Sequence, residues 1–507
     1  MSLEGLLTFL GLHPGRLNNQ NKPSKSLKPE AKLNLPRFLA LHPEYSRTAS
    51  LDTLRARDYA RLDQSGHIYL DYTGGNLYAQ SQLDQHMAQL QSDVLGNPHS
   101  TNPTSQLSTR RVEETRARVL EYFNATDDYF CVFTANASGA LKIVGESYPF
   151  APGSRLLLSF DNHNSVNGLR EFARNKGAGF SYIPLDIEDL RLNEAELRRQ
   201  ILGTDSPASL GASPGTDSPS TDPKPPKLFA FPAQSNVSGV KHPLDMIELA
   251  HAHGWDVLLD GAAYVPTNRL DLSRHKPDYV SLSFYKMFGY PTGIGALLIR
   301  KKSFEKLQKP WFAGGTVQLV SVLADKHFLN NNHEKFEDGT LDYLGIPAIK
   351  IGLDHLERLN LDTLNTRLRA LTHWVRSELS SLKHSNGAPV VRVFGPENPD
   401  QRGATVILNF YDPAGNTIPF ETIEQDANQR KISLRTGCFC NPGIDEINHC
   451  LSTEELSGYF SSREKGDYRD MMAALGKLRG AVRISLGIAS NFSDVEAFVD
   501  FARAQAR

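Results

Sequence analysis

Short apolar runs that stop at small or polar residues set the rhythm of this chain. Ile68, Tyr69 and Leu70 lead into Asp71, runs at 129–134 and 155–159 follow, and those at 228–231, 255–259 and 279–283 each give way to a loop rich in Asn, Gly, Ser or Lys. Runs with no polar face predict strands covered on both sides, the signature of a parallel sheet. A helical pattern over 108–123 separates two of them. Strand, helix, strand is therefore the repeating unit. It predicts an α/β fold, a mostly parallel sheet between helices, with ligands gathering at the carboxyl ends of the strands.

After Gly345 the pattern changes. Helical periods at 349–359 and 361–382 precede apolar runs at 390–393 and 405–408, and an amphipathic stretch over 493–504 places Val495, Phe498, Val499 and Phe501 on its inner face. This predicts a smaller α+β domain over 346–507, a large domain over 57–345, and an active site between them. Residues 1–56 read as an N-terminal extension, the first 35 or so being polar and broken by Pro14, Pro23 and Pro29. Residues 203–226 are almost entirely Gly, Thr, Ser, Asp, Ala and Pro and repeat Thr-Asp-Ser-Pro, which predicts a disordered surface insertion.

The 507 residues carry a formal net charge of -2, which supplies no general attraction to nucleic acid or an anionic membrane. No apolar run approaches the roughly 18 residues of a spanning helix, and the run Leu6 to Leu10 follows Glu4 rather than a basic stretch, unlike a secretory signal. Lys22, Lys25, Lys28 and Lys32 leave an organelle transit peptide open. Four cysteines are too few and too clustered to staple a chain of this size, so a reducing, cytoplasmic setting is expected.

Two strand ends carry groups that pyridoxal phosphate chemistry needs, a lysine for the cofactor aldehyde and an acid for its ring nitrogen. Asp260 closes one run and Lys286 follows another. Alone, such a pair reads more readily as a turn cap before Gly261 and a solvated lysine. Ser283, Phe284, Tyr285, Lys286 and then Pro291, Thr292, Gly293, Ile294, Gly295 resemble the lysine segment of the class V aminotransferase and cysteine desulfurase family, of pyridoxal-phosphate fold type I. The segment is most similar to the aminotransferase-like domain of eukaryotic molybdenum cofactor sulfurases. The resemblance spans roughly 68–501, with several motifs in the family's order.

It implies a site. Ala137 and Ser138 cradle the cofactor phosphate, with Ser283 and Tyr285 completing the cradle; Tyr285 stands where many bacterial desulfurases have histidine. His163 stacks on the ring and moves protons. Asn236 lies near the ring hydroxyl and the substrate carboxylate. Gly339 and Thr340, in a Phe-Glu-Asp-Gly-Thr segment, reach the cofactor of a second subunit, which implies a homodimer. The family often has a glutamine three residues after the ring aspartate; Ala263 stands there, followed by Tyr264, which substitutes only if the loop turns differently.

The most informative loop runs Arg435, Thr436, Gly437, Cys438, Phe439, Cys440, Asn441, Pro442. An arginine fork suits an α-carboxylate, and a thiolate on an exposed turn can reach a substrate sulfur. By resemblance Cys440 is the nucleophile that carries a persulfide, and Arg435 and, less directly, Arg483 serve the substrate. Cys438 either relays sulfur or lines the pocket. Cys438, Cys440, His449 and Cys450 also read as a zinc set, but Cys-x-Cys lacks the usual spacing, so no metal is expected. The implied function is conversion of L-cysteine, or a related amino acid, to L-alanine with sulfur passed to an acceptor protein or cofactor. Alternatives on the same scaffold are transamination, epimerisation or a lyase reaction, or a cofactor-binding scaffold without turnover. The sulfurases' further C-terminal domain is expected to be lacking.

Overall fold

The computed structural model describes residues 29–203 and 225–506, with side chains from Asn34 onward. Nearly all of the 203–226 segment and the first 28 residues of the expected extension lie outside the described residues.

The strand β1 (Ile68–Tyr69) stands apart from the main sheet, which is built of β2 (Tyr129–Thr134), β3 (Arg155–Ser159), β4 (Gly179–Ile183), β5 (Lys227–Pro232), β6 (Asp256–Asp260), β7 (Tyr279–Ser283) and β8 (Gly295–Arg300). Their order is β2-β8-β7-β6-β5-β3-β4. β3, β4, β5, β6 and β7 run parallel, whereas β8 pairs antiparallel with both β7 and β2. The sheet is thus mostly parallel, with one reversed strand. β8 follows β7 after one short helix, Phe284–Phe288, so the chain needs no crossover between them.

Side chains alternate between two cores, as a period of two requires. Leu156, Leu158, Leu228, Ala230 and Leu258 pack on one face with Leu141 and Val144 of helix Ala137–Ser147. Leu157, Phe229, Phe231, Val257 and Leu259 pack on the other. Covering both faces explains why these strands carry no polar stripe.

A two-stranded hairpin, β9 (Val317–Ser321) and β10 (Lys326–Leu329), leaves Leu319, Val322, Leu323 and Phe328 exposed. Beyond it come helices Pro347–Leu359 and Leu361–Ser381, then an antiparallel sheet of β11 (Val391–Val393), β12 (Thr405–Phe410), β14 (Arg435–Gly437) and β15 (Ala481–Ser485) in the order β11-β12-β15-β14. Helix Phe492–Arg503 closes the unit, with Val495, Phe498, Val499 and Phe501 buried.

Two placements differ from the reading of the sequence. Ile68 and Tyr69, grouped there with the parallel strands, pair instead with β13 (Ile432–Ser433), and Asp71 bridges onto Ser485 of β15. A two-residue strand carries too little pattern to say which sheet it joins. Within the expected extension, Phe38, Tyr45 and Leu51 are buried. The Phe38 ring lies 5.5 Å from Trp374 and 4.7 Å from Phe492, so this segment packs against the C-terminal unit. Among the described residues no helix is long and apolar enough to cross a membrane.

Candidate active site

The loops that leave β2, β3, β5, β6 and β7 meet around a cavity of about 400 Å³. Asn136 caps helix Ala137–Ser147, its side chain accepting from Gly139 N–H at 3.0 Å. The Ala137 N–H donates to Ser283 Oγ at 3.2 Å, and Ser138 and Ser165 share a hydroxyl hydrogen bond of 2.6 Å. Amides and hydroxyls at a helix start form a cradle suited to a phosphate. Gly295 makes room for it: a Cβ there would lie 2.6 Å from the Asn136 carbonyl carbon and 2.5 Å from the Leu282 oxygen, both backbone atoms.

His163 begins the loop after β3, and its Nδ1 accepts from the Ser165 N–H at 3.1 Å. That bond leaves Nε2 to carry the proton of the neutral ring. Burial pushes the His163 pKa below its ordinary value, with Lys286 and Arg483 pressing the same way and Asp260 opposing. The imidazole is accordingly neutral at pH 7.

Asp260 ends β6 with Oδ1 accepting from the Ser281 hydroxyl at 2.9 Å and the Ala262 N–H at 3.1 Å. Its Oδ2 accepts no hydrogen bond among the described residues. Lys286 stands on the helix after β7, and its Nζ donates none among the described residues. Burial pushes its ammonium below the usual lysine range, and Asp260 is the chief charge opposing that. Tyr285 lines the same cavity beside Ser283. Ala263 also lines it, whereas Tyr264 packs against the core.

The cysteine loop arrives from the C-terminal unit. Gly437, Phe439 and Cys440 all have positive φ (98°, 56° and 54°), and the last two are strained because they carry side chains. Hydrogen bonds hold the strain in place. Cys440 O accepts from Asn164 N–H at 2.7 Å, Phe439 O from Asn236 Nδ2 at 2.9 Å, and Cys438 O from Asn441 N–H at 3.0 Å. Buried Asn441 donates from Nδ2 to Asp161 O at 2.6 Å and Asn236 Oδ1 at 3.0 Å. Cys440 is exposed on this loop, one residue from the His163 turn. Cys438 is half-buried, and burial pushes its thiol up. His449 donates from Nε2 to Gly480 O at 2.9 Å.

Arg435 and Arg483 face each other across β14 and β15. Both grip Asp71: Arg435 Nη2 reaches Oδ2 at 2.6 Å and Arg483 Nη2 reaches Oδ1 at 2.7 Å. Arg483 also donates to Asn236 O at 2.9 Å. Arg435 is half exposed, Arg483 buried.

The structure thus brings Ala137, Ser138, His163, Asn236, Asp260, Ser283, Tyr285 and Lys286 to one cavity, with Arg435 and Arg483 on the strands β14 and β15 and Cys440 on the loop after β14. Gly339 and Thr340 stand elsewhere. Gly339 N–H donates to Gly314 O at 2.9 Å, and exposed Thr340 accepts from Asn97 at 3.3 Å. Reading the sequence missed Asp71, Ser165, Gln234 and Asn441. Asp71 ends an apolar run as Asp260 does, and that was the available signal.

The class-V aminotransferase family model matches residues 68–205 and 221–498. The molybdenum cofactor sulfurase of Homo sapiens is 38% identical over 475 residues, 89% of this chain and 51% of that protein. The enzyme of the same name from Arabidopsis thaliana is 36% identical over 485 residues, 89% of this chain and 58% of that protein. The chain therefore spans little more than half the length of these relatives. A cysteine desulfurase from Thermococcus onnurineus superposes with a TM-score of 0.71 at 22% identity, covering 89% of this chain and 97% of that one. The Escherichia coli cysteine desulfurase CsdA gives 0.68 at 21%, covering 90% and 98%. These two likenesses carry the fold, which is pyridoxal-phosphate fold type I.

Proposed function

The chain belongs to the class-V aminotransferase family, and on that footing we propose that it is a pyridoxal-phosphate-dependent sulfurtransferase that converts L-cysteine to L-alanine and holds the sulfur on Cys440. The observation that carries this reading is the exposed Cys440 on a strained loop pinned to Asn164, beside the cavity that contains Lys286 and Asp260.

Pyridoxal phosphate is the family's cofactor, and the donor set fits it. Ala137, Ser138, Ser283 and Tyr285 would hold the phosphate, Asp260 with its open Oδ2 the ring nitrogen, His163 the ring face, Asn236 the ring hydroxyl side, and Lys286 the aldehyde. When bound, the cofactor draws electrons from the substrate α-carbon and so loosens its proton. Burial favours the neutral amine of Lys286, which suits it to take that proton at Nζ. Arg435 holds Asp71 through Nε and Nη2, so its half-exposed Nη1 is the donor that orients the substrate carboxylate.

Cys440 then attacks the substrate sulfur as a thiolate. A sulfur–sulfur bond forms, the carbon–sulfur bond breaks, and its electron pair stays on the carbon that becomes the alanine methyl group after protonation. The sulfur leaves as a Cys440 persulfide for an acceptor protein or cofactor. Arg435 and Arg483 give the loop its positive field, moderated by Asp71.

The working unit is a homodimer in which Gly339 and Thr340 serve the partner's cofactor. Their exposure supports this, as does the bare apolar hairpin of β9 and β10. Four free cysteines suit a reducing, cytoplasmic setting.

The test incubates holoenzyme with L-cysteine and a reductant and follows alanine and sulfide. Wild type and Cys438→Ala should produce both, and Cys440→Ala should lose sulfide production while keeping the cofactor absorbance. Equal sulfide from wild type and Cys440→Ala would sink the proposal.

A further inference from the structure

A second cavity, of about 690 Å³, lies between helix Leu361–Ser381 and the segment 395–404, a size typical of small-molecule sites. Lys241, Arg369, Arg376 and Arg402 line it against a single carboxylate, Glu397. Arg369 is committed to Asp400 at 2.5 Å. Arg376 and Arg402 form no ion pair among the described residues. Both donate from Nη1 to one acceptor, the Pro396 carbonyl, at 2.8 and 3.1 Å, and their Nη2 groups go to the carbonyls of Gly395 and Thr405.

Two guanidinium groups held together by one carbonyl oxygen repel each other. Arg402 is only 4% exposed, and burial together with Arg376 pushes its pKa down to about 9. The Nε atoms of both arginines are buried without a partner. Among the described residues only the unpaired Glu397 pulls on Arg376, and Arg402 is met by backbone carbonyls alone; buried positive charge so poorly balanced marks a place where an anion completes the structure. Half-buried Lys241 adds a third cation, whose ammonium forms no hydrogen bond or ion pair among the described residues and feels only Asp400, which Arg369 already pairs. The hydroxyls of Thr372 and Ser377 and the amide of Asn365 add neutral polar groups, and Leu368 and Ala404 give an apolar wall.

The cavity is one strand pair from the active site. Gln234 and Lys241 face each other across a β-bridge, and Val240 pairs with Arg402. The turn between Gln234 and Lys241 carries Asn236. Asn268, on the wall of this cavity, donates to Gln234 Oε1 at 3.4 Å, and Gln234 lines the cavity of the active site.

We propose that this cavity binds a phosphate-bearing small molecule, held by Lys241, Arg376 and Arg402, in addition to any cofactor at Lys286. Forked guanidinium donors beside an ammonium match the several acceptor oxygens of a phosphate group, and the apolar wall takes an organic body. The inference stands on this cavity alone and does not depend on the sulfurtransferase reading.

Calorimetric titration of cofactor-saturated enzyme, whose phosphate cradle is already filled, tests it at fixed ionic strength. The probes are pyrophosphate and glycerol 3-phosphate, with citrate as the carboxylate control. Both phosphate probes should bind, and Arg376→Ala and Lys241→Ala should each weaken them on the order of tenfold with the cofactor absorbance unchanged. Lys241→Ala keeps the test intact if the arginine variant fails to fold. Absence of binding by both phosphate probes, binding indifferent to both substitutions, or citrate binding as tightly as pyrophosphate would each overturn the proposal.

Discussion

Arg483 donates to Asp71 across a separation of 412 residues, and that buried contact of 2.7 Å ties the turn after β1 to the antiparallel sheet of the C-terminal unit. Arg435 meets the same carboxylate from a half-exposed position. The two arginines should therefore respond differently to the loss of their partner. Asp71→Ala leaves a buried Arg483 uncompensated and should cost about 3–5 kcal/mol in denaturant unfolding. Arg435→Ala leaves the Asp71–Arg483 pair intact and should cost under about 1 kcal/mol, while raising the KM for cysteine at least tenfold. A KM unchanged in Arg435→Ala would remove it from substrate binding.

Asn441→Ala tests the pinning of the cysteine loop. The substitution strands Asp161 O and Asn236 Oδ1 and frees a pair of left-handed residues to relax. Stability should fall by about 1–3 kcal/mol. Sulfide production should fall at least tenfold in kcat with the cofactor spectrum retained, because Cys440 moves and Lys286 does not. Steady-state kinetics beside an absorbance spectrum reads both.

Gly295→Ala should act on the cofactor instead. Its new Cβ meets backbone at 2.5–2.7 Å on two sides, where no side chain can swing away. The phosphate cradle at 136–138 must shift, so pyridoxal phosphate affinity should drop at least tenfold in an absorbance titration of apoprotein. Undiminished affinity would show that the cradle does not rest on that strand.

Acid stability offers a separate test at His355, which is 3% exposed and accepts from or donates to Tyr59 at 3.2 Å. Burial pushes its pKa down to about 4, against roughly 6.5 in the unfolded chain. Between these values the unfolded state binds the proton and the folded state does not, so stability falls as pH drops from 6.5 towards 4. The contribution amounts to about 3 kcal/mol. His355→Gln should flatten that limb in unfolding titrations at pH 7 and pH 4.5.

Local pattern reached much of this structure. The run 279–283 is a strand from end to end, and helices at 361–381 and 492–503 follow their apolar periods within a residue or two. Lys286 and Asp260 were visible because each sits where an apolar run ends, and such ends converge in a parallel sheet. What escaped is what depends on distant partners. The reversal of β8 is set by its neighbours, not by its own residues. The grip on Asp71 joins strands hundreds of residues apart, and Asn441 gains its meaning only against Asp161 and Asn236. The part of the 1–56 extension that the structure describes shows little periodic hydrophobicity, yet Phe38 packs on Trp374 and Tyr45 on Arg367.

The pairing of β1 with β13 also sets a schedule for synthesis. Ile68 leaves the ribosome early but has no strand to lie against until Ile432 emerges, and Asp71 waits longer still for Arg483. The parallel sheet and its cofactor cradle are complete by Arg300. A nascent chain can therefore shape the cofactor pocket well before the arginine clamp exists, and the clamp closes only once Arg483 has emerged.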